Sequence, residues 1–347
     1  MKNPASTEAR KSRHLDICLE EDVASFQTTG FDRVRLHHEA LPEFALEDVD
    51  TTTRLFGHLL RAPLVISSMT GGTARAATIN RNLAIAAEAA GVALALGSQR
   101  AALENGALLG TYDVRRVAPH VVLFANLGAV QLNYAVTADD AQRAVEAIGA
   151  NGLYLHLNPL QEALQNGGDT NFRNLAPKIE AVVKRLDVPV IAKSVGSGIS
   201  VKTARRLLSL GIAAIDVAGA GGTSWARVEG KRAGGARERI AETFGGWGYP
   251  TVEATAALRQ ALPDATIVAS GGIRSGIDVA KSIALGANAA GIALPFLAPA
   301  SRSAQAVGDL LDEFITGLRI AMFASGSRTV GALPQALYVR GSDATLT

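Results

Sequence analysis

Eight short runs of apolar and β-branched residues recur along the chain, each followed by a stretch with helical spacing rich in Ala and Leu. They are PLVISSM (63–69), GVALALGS (91–98), VVLFANLG (121–128), LYLHLN (153–158), VPVIAKSVG (188–196), AIDVAGAG (214–221), ATIVASGG (265–272) and AAGIALP (289–295). Amphipathic segments lie between them, among them TADDAQRAVEAIGA (137–150), FRNLAPKIEAVVKRL (172–186), SVKTARRLLSLG (200–211) and GIDVAKSIALGA (276–287). Several open on Ser, Thr or Asp and close at Gly, as helix boundaries do. Alternating strand and helix signals predict a parallel sheet, and continuous apolar strands predict one buried on both faces. Eight such units predict an α/β fold of the (β/α)8 TIM-barrel type. A doubly wound open sheet is the alternative, but SSMTGGTARAATIN, after the first run, lacks the G-x-G-x-x-G spacing of its nucleotide fingerprint.

The flanks read differently. Residues 1–60 form an N-terminal extension, residues 61–325 the barrel, and residues 326–347 a weakly periodic, peripheral tail. After strand six comes a long polar insertion, TSWARVEGKRAGGARERIAETFGGWGYP (223–250), which reads as a loop, either a lid or a disordered segment.

Composition narrows the partners. The chain has 347 residues, 48% of them hydrophobic and 19% charged, with a net charge of +2, so no global field recruits nucleic acid or an anionic membrane. Anion binding has to come from local clusters. The single cysteine, Cys18, excludes an intrachain disulfide and a cysteine-based zinc site and fits a reducing, cytoplasmic setting. The charged first twenty residues do not read as a signal peptide, and no apolar run is long enough to span a bilayer.

In such a barrel the carboxyl ends of the strands share one face, where sites are built. Those ends carry Ser67, Ser68, Met69 and Thr70; Ser98, Gln99 and Arg100; Asn126; His156, Asn158, Gln161 and Glu162; Lys193 and Ser194; and then glycine-rich turns with Thr223, Arg274, Ala293 and Leu294. Gly-Gly pairs in VAGAGGTSW and VASGGIRSG fit backbone N–H groups that receive a phosphate, although a single pair would only permit a tight turn. A lysine inside an apolar strand is expensive unless it works. Lys193 has three readings: Schiff base, phosphate anchor, or cation facing a flavin's pyrimidine edge. Neighbours expected to be amides and hydroxyls, with no second Lys or Asp, tilt it to the flavin.

Glu162 reads either as a helix-dipole partner or as one carboxylate of a Mg²⁺ site completed by water and phosphate. His156 and Asn158 are expected on one face of a strand as an inward polar pair. The basic run Arg10, Lys11, Arg13 and His14 reads by itself as a solvated, disordered end, and Arg100, Arg227, Lys231 and Arg232 as surface charge. Trp225 is a hydrophobic anchor or a cover over a ligand.

The words ARKSRHL, MTGG, GSQR, ANLG, HLNPLQE, AGAGGTSW, SGGIRSG and IALP, in this order from near residue 10 to near 295, resemble those of the type II isopentenyl-diphosphate isomerases. HLNPLQE with AGAGGTSW is the specific part; SGG or ANLG alone recurs in other flavin barrels. KSVG stands where the family often has a Glu after the lysine, and SS precedes MTGG where a smaller residue is usual.

The resemblance implies a flavoenzyme that interconverts isopentenyl and dimethylallyl diphosphate without net redox change. It also implies bound FMN, Mg²⁺, a reductant such as NADPH, and a homo-oligomer, tetramer or octamer. By the same resemblance Ser67, Ser68, Met69, Thr70, Ser98, Asn126, Lys193, Thr223, Gly272, Ile273, Arg274, Ala293 and Leu294 hold FMN. Arg10, Lys11, His14, Ser98, Arg100 and Gln161 meet the small-molecule diphosphate substrate. Glu162 binds Mg²⁺, and His156, Asn158 and Gln161 serve catalysis. The competing reading is an FMN-dependent oxidoreductase of a small substrate on the same barrel; the His-Gly-x-Arg signature of hydroxy-acid oxidases is missing from VAGAGGTSW.

Overall fold

The computed structural model describes residues 4–338, so of the tail read from the sequence the part at 339–347 lies outside the described residues. Each apolar run forms a strand: β1 (Leu64–Ile66), β2 (Ala93–Ala95), β3 (Leu123–Gly128), β4 (Gly152–His156), β5 (Val190–Lys193), β6 (Ala214–Asp216), β7 (Thr266–Ser270) and β8 (Ala289–Ile292). All pair in parallel in chain order, and β8 returns to β1 through Ala290–Leu64, Gly291–Val65 and Ile292–Ile66. The barrel is therefore closed, with no free edge among its strands.

Side-chain parity explains why continuous apolar strands can still build a polar mouth. On β3, Leu123, Ala125 and Leu127 pack outward in the main core, while Phe124 belongs to the separate cluster inside the barrel. The same alternation sets Val190 and Ala192 against Ile191, and Ile215 against Ala214. At the early end of the strands the inner column is apolar. Val65, Phe124, Tyr154 and Val268 pack there with Leu55 and Leu60 of the hairpin formed by Thr53–Leu55 and His58–Leu60. Two residues further along, the same column holds Asn126, His156, Lys193, Asp216, Ser270 and Gly291. Parity thus delivers those side chains to one end of the barrel lumen.

The helices between the strands start where the caps predict. The Thr73 hydroxyl accepts the Ala76 N–H at 3.0 Å ahead of Ala74–Ala90, which ends at left-handed Gly91. Thr137 and Asp140 form a capping box on Ala138–Glu146, and Ser200 and Ser275 cap Val201–Ser209 and Gly276–Ala284.

Three expectations need correction. The insertion at 223–250 is not a structureless loop: it forms helices Trp225–Ala233 and Gly235–Glu242. Val228 packs with Ile17, Val23, Cys18 and Trp225 in a small satellite core, and Arg227 bonds Asp22 and the Ala24 carbonyl. The basic run is not a solvated end, because it lies on helix Pro4–Glu20, which this satellite core and the Lys231–Glu21 pair at 3.2 Å hold against the insertion. Polar composition misled in both cases, since each segment buries a few apolar side chains against the other and neither looks apolar alone. Finally, the described part of the tail is not peripheral: Val330, Leu333 and Ala336 are buried, and Leu337–Tyr338 pairs antiparallel with Arg35–Leu36.

Candidate active site

The polar end of the inner column holds two hydrogen-bonded sets, Lys193 with Asp216 and Ser270, and His156 with Asn126 and Ser68. Lys193, 8% exposed, donates from Nζ to Asp216 Oδ1 and to Ser270 Oγ, both at 3.1 Å. The strand register places Lys193 opposite Asp216, and Ser270 Oγ in turn donates to that carboxylate. An aspartate beside Lys193 corrects the expectation of amide and hydroxyl neighbours only. Asp216 is fully buried and does not line the cavity, so it stands behind the lysine.

On the next strands His156 Nδ1 lies 2.8 Å from Asn126 Oδ1, while Asn126 Nδ2 donates to Ser68 Oγ at 2.7 Å. That network assigns the His156 proton to Nδ1 and leaves Nε2 as an acceptor. Burial, then the charges of Lys193 and Lys11, lowers its pKa to about 4, so the ring is neutral. Asn158 does not share the strand with it: β4 ends at His156, and Asn158 is the residue ahead of the short helix Pro159–Leu164. A proline at the first helical position ends the strand pattern and starts the helix.

Helix Pro4–Glu20 brings the cations. Burial lowers the Arg10 pKa; Glu229 opposes this, and Arg100 reinforces it. Burial, then Arg10 and Arg100, lowers that of Lys11 to about 7. Arg100 is held by Glu104 and Asp169, both at 2.8 Å, which raise its pKa against the effect of burial. Sequence reading missed Glu229. Its Oε1 lies 3.1 Å from both Gln161 Nε2 and His14 Nε2, and its Oε2 accepts from Arg232 Nε at 2.8 Å. Burial pushes the carboxyl upward, but His14, Arg232 and Gln161 outweigh it and hold the pKa at about 2.

Glu162 lines the cavity at 7% exposure and accepts from Asn158 Nδ2 at 3.1 Å and from the Asp169 N–H at 2.6 Å. The Asn158 Oδ1 beside it is buried without a partner. Among the described residues no group of three or more His, Cys, Asp or Glu could hold a metal. One carboxylate with an unmet oxygen acceptor fits a hard cation that takes its other ligands from water and phosphate, as Mg²⁺ does.

Every residue that the resemblance assigned to flavin, substrate, metal or catalysis lines one cavity of about 270 Å³, as does Trp225, with Cys18, Gln131 and Gln165 besides, whereas Gln99 and Ser194 at the strand ends do not. The two glycine-rich turns that line it touch backbone to backbone. A Cβ on Gly222 would come within 2.4 Å of the Gly272 nitrogen, and Gly271 and Gly272 have φ of +105° and +77°. Helix Leu294–Arg302 starts beside them with no side-chain cap. Ser67 Oγ, also lining the cavity, is buried without a partner. Bare N–H groups after β7 and β8, an orphaned hydroxyl and the Lys193 ammonium fit a phosphorylated, partly anionic ring system such as FMN.

Comparison with known proteins agrees. The FMN-dependent dehydrogenase family matches over residues 17–107 and 160–340, and the chain belongs to that family. In solved structures the fold recurs in a mandelate oxidase variant with a C4a-OH-FMN adduct (TM-score 0.66, 20% identity, covering 96% of this chain and 99% of that one). It recurs also in mandelate oxidase with (S)-2-phenylpropionate (0.66, 22%, 98% of each). Within the family the chain belongs to the isopentenyl-diphosphate delta-isomerases. It is 51% identical over 331 residues to the protein of that name from Stutzerimonas stutzeri, covering 94% of this chain and 96% of the relative. The Synechocystis sp. protein of the same name is 50% identical over 345 residues, 99% of each. No helix among the described residues is long and apolar enough to cross a membrane.

Proposed function

We propose that the chain interconverts isopentenyl diphosphate and dimethylallyl diphosphate, with FMN and Mg²⁺ bound in the cavity and a reductant such as NADPH keeping the flavin reduced. The observation that carries this reading is a division within one cavity. Arg10 lies in the fields of Glu162 and Arg100, and Lys11 in those of Arg10 and Arg100, while Lys193 bonds Ser270, the residue ahead of the Gly271–Gly272 turn. A diphosphate–metal group suits the first half and a flavin the second.

Reduced FMN, when bound, supplies the acid/base chemistry that moves a proton onto one carbon of the alkene and off another. The chain's own residues do the rest. Glu162 would hold the metal, and the three cations would neutralise the diphosphate. Ser67, Ser68, Met69, Thr70, Asn126, Thr223, Gly272 to Arg274, Ala293 and Leu294 would hold the flavin. Gln161, fixed by Glu229, and His156, fixed by Asn126, would orient the reacting end. His156 would act as a neutral acceptor, since a pKa of about 4 leaves it no proton to give from Nε2 near neutrality.

The test is proton NMR of the FMN-loaded, anaerobically reduced protein with Mg²⁺ and isopentenyl diphosphate in D2O. Deuterated dimethylallyl diphosphate is expected. Unchanged starting material over bound, reduced flavin would reject the isomerase reading and favour an oxidoreductase on the same barrel. Glu162→Ala is expected to abolish the Mg²⁺ dependence of diphosphate binding while FMN stays bound, checked by calorimetry with and without Mg²⁺. A retained dependence would remove Glu162 from the metal.

A further inference from the structure

We propose that Tyr112 is a positioning residue: by receiving the Lys11 ammonium it fixes helix Pro4–Glu20, and with it Arg10 and His14, over the barrel mouth. Lys11 Nζ donates to the Gly71 carbonyl at 2.7 Å, to Tyr112 OH at 3.1 Å and to the Ser98 carbonyl at 3.2 Å. An ammonium has three donors, so all of them are spent on oxygens of the protein. Lys11 is therefore the bolt of the helix, and its charge acts on a ligand across space.

Tyr112 closes the ring of contacts by donating its own proton to the Ser98 carbonyl at 2.6 Å. It is fully buried, and burial raises its pKa, so it stays a neutral hydroxyl with a lone pair for the ammonium. That lone pair matters because burial, Arg10 and Arg100 all work against the charge on Lys11.

Two glycines of the MTGG word make room for this lock. A Cβ on Gly71 would lie 2.1 Å from Tyr112 Cε1, and one on Gly72 would lie 3.1 Å from Lys11 Nζ. Thr111, next to Tyr112, accepts the Gly72 N–H at 2.9 Å, and Asn80 donates to the Thr111 carbonyl at 3.0 Å. The segment Gly106–Tyr112 is thus tied to the same turn that receives the lysine.

The test is a double-mutant cycle on the FMN-loaded protein, read by calorimetric binding of inorganic pyrophosphate with Mg²⁺. Tyr112→Phe keeps the ring and removes the hydroxyl. It is expected to weaken pyrophosphate roughly tenfold, the scale of one hydrogen bond to a charged group, with FMN content unchanged. In a Lys11→Met background the same change is expected to have no effect. KM for isopentenyl diphosphate should rise in parallel while kcat moves far less. Both arms rest on the diphosphate reading of the cavity, and a parent protein that binds no pyrophosphate fails that reading, leaving the helix amides to decide this proposal. Amides of helix Pro4–Glu20 should exchange faster in both single variants. Unchanged pyrophosphate affinity in Tyr112→Phe, or an equal loss in the Lys11→Met background, overturns the proposal. Should Tyr112→Phe not accumulate, helix amides in Lys11→Met protected as in the parent protein overturn it as well.

Discussion

Lys193→Met is expected to purify without FMN and to lose about 3–5 kcal/mol of stability, the cost of leaving one partner of a buried ion pair alone. The two effects separate. Asp216 is fully buried, and its Oδ1 takes the lysine at 3.1 Å, so removing the ammonium strands a carboxylate in the barrel lumen. Replacing both members, Lys193→Met with Asp216→Asn, removes the stranded charge and is expected to recover most of the stability. It should not recover the cofactor, because the cation facing the cavity is still missing. Denaturant unfolding of the three apoproteins, with flavin absorbance on purification, checks both halves. A Lys193→Met protein that stays stoichiometrically yellow would assign the lysine another role, and a double variant as unstable as the single one would show that the pair is not coupled.

The same pair shows how much of the site was legible. Lys193 stood out because a charge interrupts an apolar run, and its strand-end position placed it in the mouth. Asp216 carries the same signal within AID, two residues after Ala214, but a single carboxylate in AIDVAGAG leaves the run apolar by pattern. Applying the inward parity of β5 to β6, with the register that pairs them, would have set the carboxylate beside the ammonium. The eight strands were legible for a physical reason: both faces of a parallel strand are buried, so its residues announce themselves locally.

The N-terminal helix and the insertion after β6 were not legible. Their apolar content is small and is shared between them, with Ile17 and Val23 on one side and Val228 on the other. A helix whose partner lies two hundred residues away offers no local period strong enough to identify it. Glu229 fell in that blind region. Only the resemblance, not residue chemistry, drew Arg10, Lys11 and His14 into the pocket, and nothing drew their counter-charge.

Glu229→Gln tests that counter-charge. Glu229 is fully buried, and a carboxyl held at about 2 against an ordinary 4.5 corresponds to about 3 kcal/mol of stabilisation in the ionised state. The sign follows from the direction of the shift. The folded protein binds this proton less readily than the unfolded chain does, so the contribution is complete above about pH 4.5 and is lost as pH falls through 2. Glu229→Gln is therefore expected to be less stable than the parent by about 3 kcal/mol at pH 7, with the gap narrowing steadily below pH 4.5. Unfolding of the apoproteins at pH 7 and near pH 3 measures it; a gap that does not change with pH would mean the loss is packing and not charge. Turnover should fall by about two orders of magnitude, since the amide has one oxygen where the carboxylate has two and cannot accept from Arg232 and from Gln161 and His14 at once, and small misplacements carry that cost. Glu229→Asp keeps the charge but shortens the reach, so it should restore the acid limb of the stability profile more fully than the turnover. Equal recovery of both would place the carboxylate's role in holding the helix alone, with no part in aiming Gln161 at the substrate.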